Sequence, residues 1–226
     1  MDALDAKGKS QLHYACESGK EAECRSLLLQ KCNPDVTQTG DNQTALYHAC
    51  KAGSAECVKM LVLSKANIEL VTKSGMSPLL AAAQKGNLAC VEQLLGAKAS
   101  PDLAAKSGKT PLLMACEGGH ENVAALLIKR GAGLDVQARD ESTPLIVASY
   151  NGHVGCVRTL LEAGASLEPK DSDGTALDNA RKQGKREVEQ LISDAARDRA
   201  RVRQRWRRMY VTSALGSRVR LCAAFL

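Results

Sequence analysis

Nine cysteines and four histidines are the side chains of this sequence best suited to metal binding or nucleophilic chemistry. Six cysteines fall at two recurring positions of a block that repeats about every 33 residues: Cys16, Cys50 and Cys116 at one, and Cys57, Cys90 and Cys156 at the other. Equivalent positions in neighbouring helical units should lie about 8–10 Å apart, whereas a disulfide requires Cα atoms within about 7 Å. The sequence therefore predicts buried, unpaired cysteines in a reducing compartment, the cytoplasm or the nucleus.

The sequence carries no recognisable catalytic motif. It has no CxxC pair, no G-x-S-x-G, no phosphate-binding loop, no HExxH and no dinucleotide-binding glycine pattern. His120 and His153 follow equivalent glycines one unit apart, too far apart to share a metal ion. Asp140 and Glu141 are neighbouring carboxylates on an expected turn, where solvation explains them. We therefore expect no enzyme activity, no cofactor, no metal site and no small-molecule substrate.

A ten-residue block organises the chain. Its six copies begin at Ser10, Thr44, Ser77, Thr110, Thr143 and Thr175, with offsets of 34, 33, 33, 33 and 32 residues. Every copy starts with Ser or Thr and has Leu third, Ala sixth and Gly tenth. Self-similarity at a fixed period of this size is typical of a repeat solenoid.

Each block predicts a short helix. The first hydroxyl can accept a hydrogen bond from a free backbone N–H, the proline that follows it in three copies suits the first helical position, and the closing glycine can end the helix. A second apolar segment follows in each unit: Ala22–Gln30, Ala55–Leu63, Leu88–Leu95, Val123–Lys129, Val154–Glu162 and Glu187–Ile192. A turn then comes at Gly8, Asn42, Gly75, Gly108 or Gly174, with Glu141 in the fifth unit.

These landmarks resemble the ankyrin repeat family, whose signature is a T-P-L-H-x-A-A block in a unit of 33 residues. The resemblance covers about residues 5–196 and implies an all-α repeat solenoid of helix-turn-helix units joined by β-turn or hairpin fingers. The units are expected near residues 5–37, 38–70, 71–103, 104–136, 137–169 and 170–196. Only Leu12-His13 keeps the Leu-His pair of the signature, and unit six is shorter and more polar, as a terminal capping unit should be.

The resemblance implies that a partner protein binds the concave face formed by the inner helices and the fingers. The residues expected on this face are Tyr14, His48, Lys51, Ala81, Lys85, Met114, Glu117, Val147 and Tyr150. Four of them, Ala81, Met114, Val147 and Tyr150, would form an apolar row across units three to five, and Tyr and Met are enriched at interface cores. The alternative is that this row packs against adjacent inner helices.

Basic residues recur on or beside the expected turns. Lys73, Lys106, Lys109 and Arg139 would form a rim that attracts an acidic partner. Acidic residues such as Asp41 and Asp140 interleave with them, so the alternative is a solvated edge of mixed charge.

The last thirty residues, 197–226, differ from the array. They contain nine arginines and one aspartate, a net charge of +8, which leaves −2 for residues 1–196. Val202, Trp206 and Met209 share one face of a basic helix expected to reach about residue 215. This tail either folds back over unit six, binds an anionic membrane, calmodulin or nucleic acid through Arg203, Trp206 and Arg207, or is disordered.

The sequence predicts a non-catalytic scaffold that binds another protein on its concave face. Association of the tail with nucleic acid or an anionic membrane is the alternative function. We expect no signal peptide, because no apolar run follows the charges near the N-terminus, and no membrane span, because no apolar stretch approaches about 18 residues.

Overall fold

The structure is a computed structural model that describes the backbone of residues 3–213 and the side chains of residues 3–206. Within this range the chain forms six pairs of antiparallel helices. The pairs are α1 (Gln11–Glu17) with α2 (Glu21–Leu29), α3 (Ala45–Ala52) with α4 (Ala55–Leu63), α5 (Pro78–Lys85) with α6 (Leu88–Gly96), α7 (Pro111–Glu117) with α8 (Glu121–Lys129), α9 (Pro144–Asn151) with α10 (Val154–Glu162), and α11 (Ala176–Lys182) with α12 (Arg186–Ser213). The fold is an all-α repeat solenoid, as predicted.

Hydroxyl caps begin the inner helices, which are the first helix of each pair. Thr44 Oγ1 accepts a hydrogen bond from the backbone N–H of Tyr47 at 3.1 Å, and the first hydroxyls of units three to six accept equivalent bonds. Unit one differs, because Ser10 Oγ lies 2.7 Å from Nδ1 of His13. The His13 ring therefore bonds locally at the start of α1.

Leucine and alanine at the recurring block positions form a continuous core between the units. The Leu of the third block position is at most 4% exposed in units one to five, and the Ala of the sixth position is fully buried in all six units. Inner helices pack side by side in one layer, and outer helices, the second of each pair, pack in another. Because alanine is small, the neighbouring inner helices approach closely, and each unit buries its apolar face against the next.

Turns at the predicted positions join the pairs. The residue at the turn has a positive φ in every unit, including the two that are not glycine, Asn42 at 58° and Glu141 at 63°. In unit six the finger is a two-stranded hairpin of β1 (Lys170–Asp171) and β2 (Gly174–Thr175), with Lys170 opposite Thr175. In unit two Thr37 and Thr44 form a single antiparallel bridge.

The last helix is much longer than the apolar segment expected at Glu187–Ile192. Helix α12 continues to Ser213, because no glycine or proline interrupts the sequence from Arg186 to that point. Val188 and Ile192 are buried, at 1% and 2% exposure, and the helix packs against α10 and α11. It crosses residue 196, where the sequence places the start of the tail; that division stays a prediction.

Candidate functional site

The fingers are joined to each other by backbone hydrogen bonds at their tips. The four bonds run from Thr39 N to Gly8 O at 3.1 Å, from Lys73 N to Asp41 O at 2.9 Å, from Lys106 N to Ser74 O at 3.0 Å, and from Arg139 N to Ser107 O at 2.9 Å. This ladder fixes the register of consecutive fingers. It places the side chains of equivalent tip residues in one row along the edge of the array.

Three basic residues occupy this row in consecutive units. Lys73, Lys106 and Arg139 are the donors of the last three ladder bonds, and their side chains are exposed. Within residues 3–206, no carboxylate lies within ion-pair distance of any of the three. We call Lys73, Lys106 and Arg139 the basic tip row.

The fourth basic residue expected on the rim, Lys109, is neutralised within the protein. Its Nζ lies 2.8 Å from Oε1 of Glu117 on the inner helix α7. The carboxyl of Asp140 is also engaged, since Ser142 Oγ donates to Asp140 Oδ1 at 2.6 Å. This hydrogen bond lowers the pKa of Asp140, so the side chain is an anion beside Arg139. The rim is therefore basic at its tips and mixed in charge beneath them.

The predicted apolar row on the concave face is wrong for two of its four members. Ala81 is 1% exposed and Met114 is 6% exposed, because each packs between adjacent inner helices. Val147 is half-buried, and only Tyr150 is open to solvent, at 45% exposure. The alternative interpretation, packing within the inner layer, therefore applies to Ala81 and Met114.

The solvent-accessible side chains of the inner helices lie at position eight of the block instead. The residue at this position is exposed in all six units: Glu17, Lys51, Gln84, Glu117, Tyr150 and Lys182. Position nine is also open in most units, and it includes the predicted contact Lys85. The candidate site is therefore a polar strip of position-eight and position-nine side chains that lies beside the basic tip row.

Two predicted contacts in the first units make their interactions inside the protein. Tyr14 Oη donates to Asp5 Oδ2 at 2.7 Å, which raises the pKa of Tyr14. His48 is 4% exposed, with Nε2 3.2 Å from Oε1 of Gln38 and its ring edge-on to His13 at 5.6 Å between centroids. Burial lowers the pKa of His48 to about 4. His48 is therefore a neutral buried group, and its prediction as a contact on the open face is wrong.

The predicted tail residues lie in the second half of α12. Arg203 and Trp206 are exposed, with Trp206 at 46%, and the fold-back of the tail over unit six stays a prediction. Arg199 is the residue that docks: its Nη1 donates to the carbonyl oxygen of Ala165 at 2.9 Å. The side chains of Arg207 and Met209 lie outside the described residues.

The eight cysteines among residues 3–206 are all buried, as the sequence predicts. Contacts between cysteines at different block positions were not predicted from the sequence. The thiol of the inner-helix Cys116 interacts with that of the outer-helix Cys156 in the next unit. In units one and two, the sulfurs of Cys16, Cys24 and Cys57 lie within 4.8 Å of one another. A recurring offset of 40 or 41 residues, from Cys16 to Cys57, Cys50 to Cys90 and Cys116 to Cys156, was the signal in the sequence.

The geometry defines a class: a stacked repeat protein with an open polar face on one side and a helical outer layer on the other. The family model described as ankyrin repeats (3 copies) matches this chain in four overlapping stretches, residues 12–104, 61–140, 79–173 and 126–200. The chain belongs to the ankyrin repeat family. Domains of this family generally mediate protein–protein interaction without catalysis.

A solved structure supports the same assignment. The chain is similar to the human ASB11 ankyrin repeat domain, with 31% sequence identity and a TM-score of 0.77, over 83% of this chain and 84% of that chain. The search of curated proteins gave no significant match. Among the described residues, no helix is both long and apolar enough to span a bilayer.

Proposed function

We propose that this chain is a non-catalytic scaffold that captures a partner protein along the fingers and the polar strip of the inner helices. The observation that carries the proposal is the basic tip row. Lys73, Lys106 and Arg139 are exposed, lack ion pairs among the described residues, and are fixed in one line by the finger ladder. Because the ladder fixes the backbone of this row, only the side chains must be ordered on binding, which favours its use as an interface.

The charge of this row indicates the kind of partner. Residues 1–196 sum to −2, so the three adjacent cations of the tip row stand out from a nearly neutral array. Exposed charges of one sign raise the association rate of a partner of opposite sign and set its orientation. We therefore expect an acidic segment of the partner to lie along units three to five, with Tyr150 of the polar strip as an aromatic contact beside it.

The predicted contacts divide into two groups under this proposal. Contact residues on the open side are Lys51, Lys85, Glu117, Tyr150 and the basic tip row. Val147 is half-buried and lies at the edge of this surface. Lys109 acts indirectly, since its ion pair with Glu117 links a finger to an inner helix.

The buried thiols fit the reducing compartment, cytoplasm or nucleus, that we propose as the setting.

Charge reversal of the tip row tests the proposal. The full chain, a Lys73→Glu/Lys106→Glu/Arg139→Glu variant and a control are used to capture proteins from nuclease-treated cell extract. The control, Arg25→Glu/Lys129→Glu/Arg158→Glu, makes the same change of charge at exposed residues of the outer helices α2, α8 and α10. Each variant is first compared with the wild type by circular dichroism and thermal melting.

We expect one discrete protein to be captured by the wild type and by the outer-helix control and to be lost by the tip-row variant. Capture should also weaken as the salt concentration rises, because the tip row is exposed to solvent. Equal capture by all three folded proteins would show that the partner binds elsewhere on the array. Loss with both variants would indicate a nonspecific effect of net charge.

The second half of α12 supports a second candidate function, association with nucleic acid or an anionic membrane. Arg203 and Arg205 are exposed and have no carboxylate partner among the described residues. Val202, at 54% exposure, lies on this same half of α12. Binding to DNA or to phosphatidylserine vesicles should fall steeply with salt, and an Arg203→Glu/Arg205→Glu variant should abolish it. Unchanged binding by this variant would exclude α12 as the site.

A further inference from the structure

Three cysteine side chains meet between the first two units. Cys16 comes from α1, Cys24 from α2 and Cys57 from α4, so three helices contribute one thiol each. All three sulfurs lie within 4.8 Å of one another, and those of Cys16 and Cys24 are 3.8 Å apart. Each of the three residues is fully buried. The group is therefore preformed by the packing of the repeat units and is shielded from solvent.

The third thiol distinguishes this group from the other diagonal cysteine contacts. Cys16 and Cys57 occupy the same two block positions as Cys116 and Cys156 further along the array. At the position of Cys24, units two, three and five have Val58, Val91 and Val157, and unit four has Ala124. Units two to five therefore fill this position with Val or Ala. Among the first five units, only unit one has a thiol there.

The spacing of the sulfurs fits a bound metal ion. An ion about 2.3 Å from each of several thiolate sulfurs holds those sulfurs about 3.8 to 4.0 Å apart. The Cys16–Cys24 pair already has a separation of 3.8 Å. The remaining pairs are within 4.8 Å, so small rotations of buried side chains complete the triangle.

The number and type of ligands select the ion. Among residues 3–206, no histidine or carboxylate supplies a fourth ligand atom to the group, and its full burial keeps the group out of contact with bulk water. Structural Zn(II) sites close with four ligands, whereas soft thiolates also select Cu(I), which is stable with three.

The geometry points to Cys16, Cys24 and Cys57 as a three-sulfur site for Cu(I), held between the first and second repeat units. Binding replaces thiol protons, which pass to the solvent, and the oxidation state of the copper does not change. Because the ligands come from both units, the ion joins them and stabilises the N-terminal end of the array in the way that structural metals stabilise small domains.

Competition with a chelator tests this site. The reduced full chain is titrated with Cu(I) under anaerobic conditions in the presence of a chromophoric Cu(I) chelator, bathocuproine disulfonate. The test variant is Cys24→Val, which installs the residue of the other units at that position. The matched control is Cys156→Val, which changes a cysteine of a diagonal pair to the residue of unit four, Val123. A parallel titration uses Zn(II) and a chromophoric Zn(II) chelator.

We expect the wild type and Cys156→Val to retain one equivalent of Cu(I) at chelator concentrations that strip Cys24→Val. Loss of an outer-shell partner alone costs about 10- to 100-fold in affinity, so loss of a ligand should cost about 100-fold or more. Cu(I) should also raise the melting temperature of the wild type and Cys156→Val, but not that of Cys24→Val. The melting measurement also shows whether each variant is folded.

Several results would overturn the inference. They are a wild type that retains no Cu(I), a folded Cys24→Val variant that retains as much as the wild type, and a Cys156→Val variant that loses as much as Cys24→Val. Retention of Zn(II) without retention of Cu(I) would contradict the assignment of the ion.

Discussion

The solvent exposure of a single residue depends on how the neighbouring unit packs against it as well as on its position in the repeat. Position five of the block was expected to face a partner, yet it is 4% exposed at His48, 1% at Ala81 and 6% at Met114. Position eight, three residues further along the same helix, is exposed in every unit. A single turn of helix therefore separates a buried contact between units from the open face.

Acidification should destabilise the array through His48. Burial lowers its pKa to about 4 in the folded chain, against about 6.5 when unfolded, so the unfolded state binds the proton first and stability falls as the pH drops. We expect a loss of about 2 kcal/mol in the free energy of unfolding between about pH 7 and pH 5. His13, whose pKa burial also lowers, adds to the loss in the same direction.

Urea unfolding at several pH values measures this loss. The control is His48→Met, which installs the residue that unit four has at this position, Met114. Its stability should decline less than that of the wild type over the same interval. An identical decline in the two proteins would mean that His48 is not the titrating group.

At the scale of elements, the fingers are coupled to each other through their backbones. A methyl group at Gly75, where φ is 82°, would lie 2.6 Å from the backbone nitrogen of Lys106 in the next finger. At Gly131, with a similar φ of 86°, a methyl group would meet nothing within 4 Å. Alanine substitutions at the two glycines therefore distinguish the free-energy cost of the left-handed backbone conformation from the cost of breaking the finger ladder.

Gly75→Ala should destabilise the chain more than Gly131→Ala. The left-handed conformation costs an alanine about 1–2 kcal/mol at either position, and Gly75→Ala should add about 1 kcal/mol or more by breaking the bond from Lys106 to Ser74. Chemical denaturation of the two variants and the wild type gives the difference. Equal losses would contradict the coupling of the fingers.

Arg199 adds a polar attachment of α12 to the array, beyond the buried Val188 and Ile192. Its guanidinium donates to the carbonyl oxygen of Ala165 at 2.9 Å and to that of Leu161 at 3.5 Å, near the C-terminal end of α10. Arg201, two residues later, has a side chain that is 79% exposed, and among residues 3–206 it pairs only with Asp198. One arginine of the basic segment therefore has a structural role, and its neighbour does not.

Arg199→Gln should cost about 1 kcal/mol of stability, because two backbone carbonyls lose a charged donor. Arg201→Gln should change stability by less than about 0.5 kcal/mol, since exposed ion pairs contribute little. Hydrogen exchange of α12 amides should quicken in Arg199→Gln only. Faster exchange in both variants would indicate that general helix propensity, rather than docking, holds α12 in place.

The local features of the elements could be predicted from the sequence, whereas the contacts between elements could not. Caps such as Thr44 and turns such as Gly75 depend on a few adjacent residues, and the same pattern recurs in all six copies of the block. The burial of Met114 and the meeting of Cys16 with Cys57 depend on how one unit packs on the next. The sequence predicted the segment Glu187–Ile192 and a basic helix up to about residue 215, but not that the two form the single helix α12.

At the scale of the whole molecule, the array has two faces with different chemistry. The fingers and inner helices present the basic tip row and the exposed position-eight residues, while the outer helices form the opposite layer. Each unit contacts only its neighbours, so a partner that spans units three to five is bound by several weakly coupled surfaces at once. The central claim is that this first face, and not the outer layer or α12, binds the partner.

Hydrogen exchange of the chain alone and in complex with its captured partner tests that claim most directly. We predict slower exchange in the finger segments 71–76, 104–109 and 137–142, and at the C-terminal ends of α7 and α9. Exchange in the outer helices α6 and α8 and in the second half of α12 should be unchanged. Protection confined to the outer helices or to α12, with the fingers unaffected, would contradict the account.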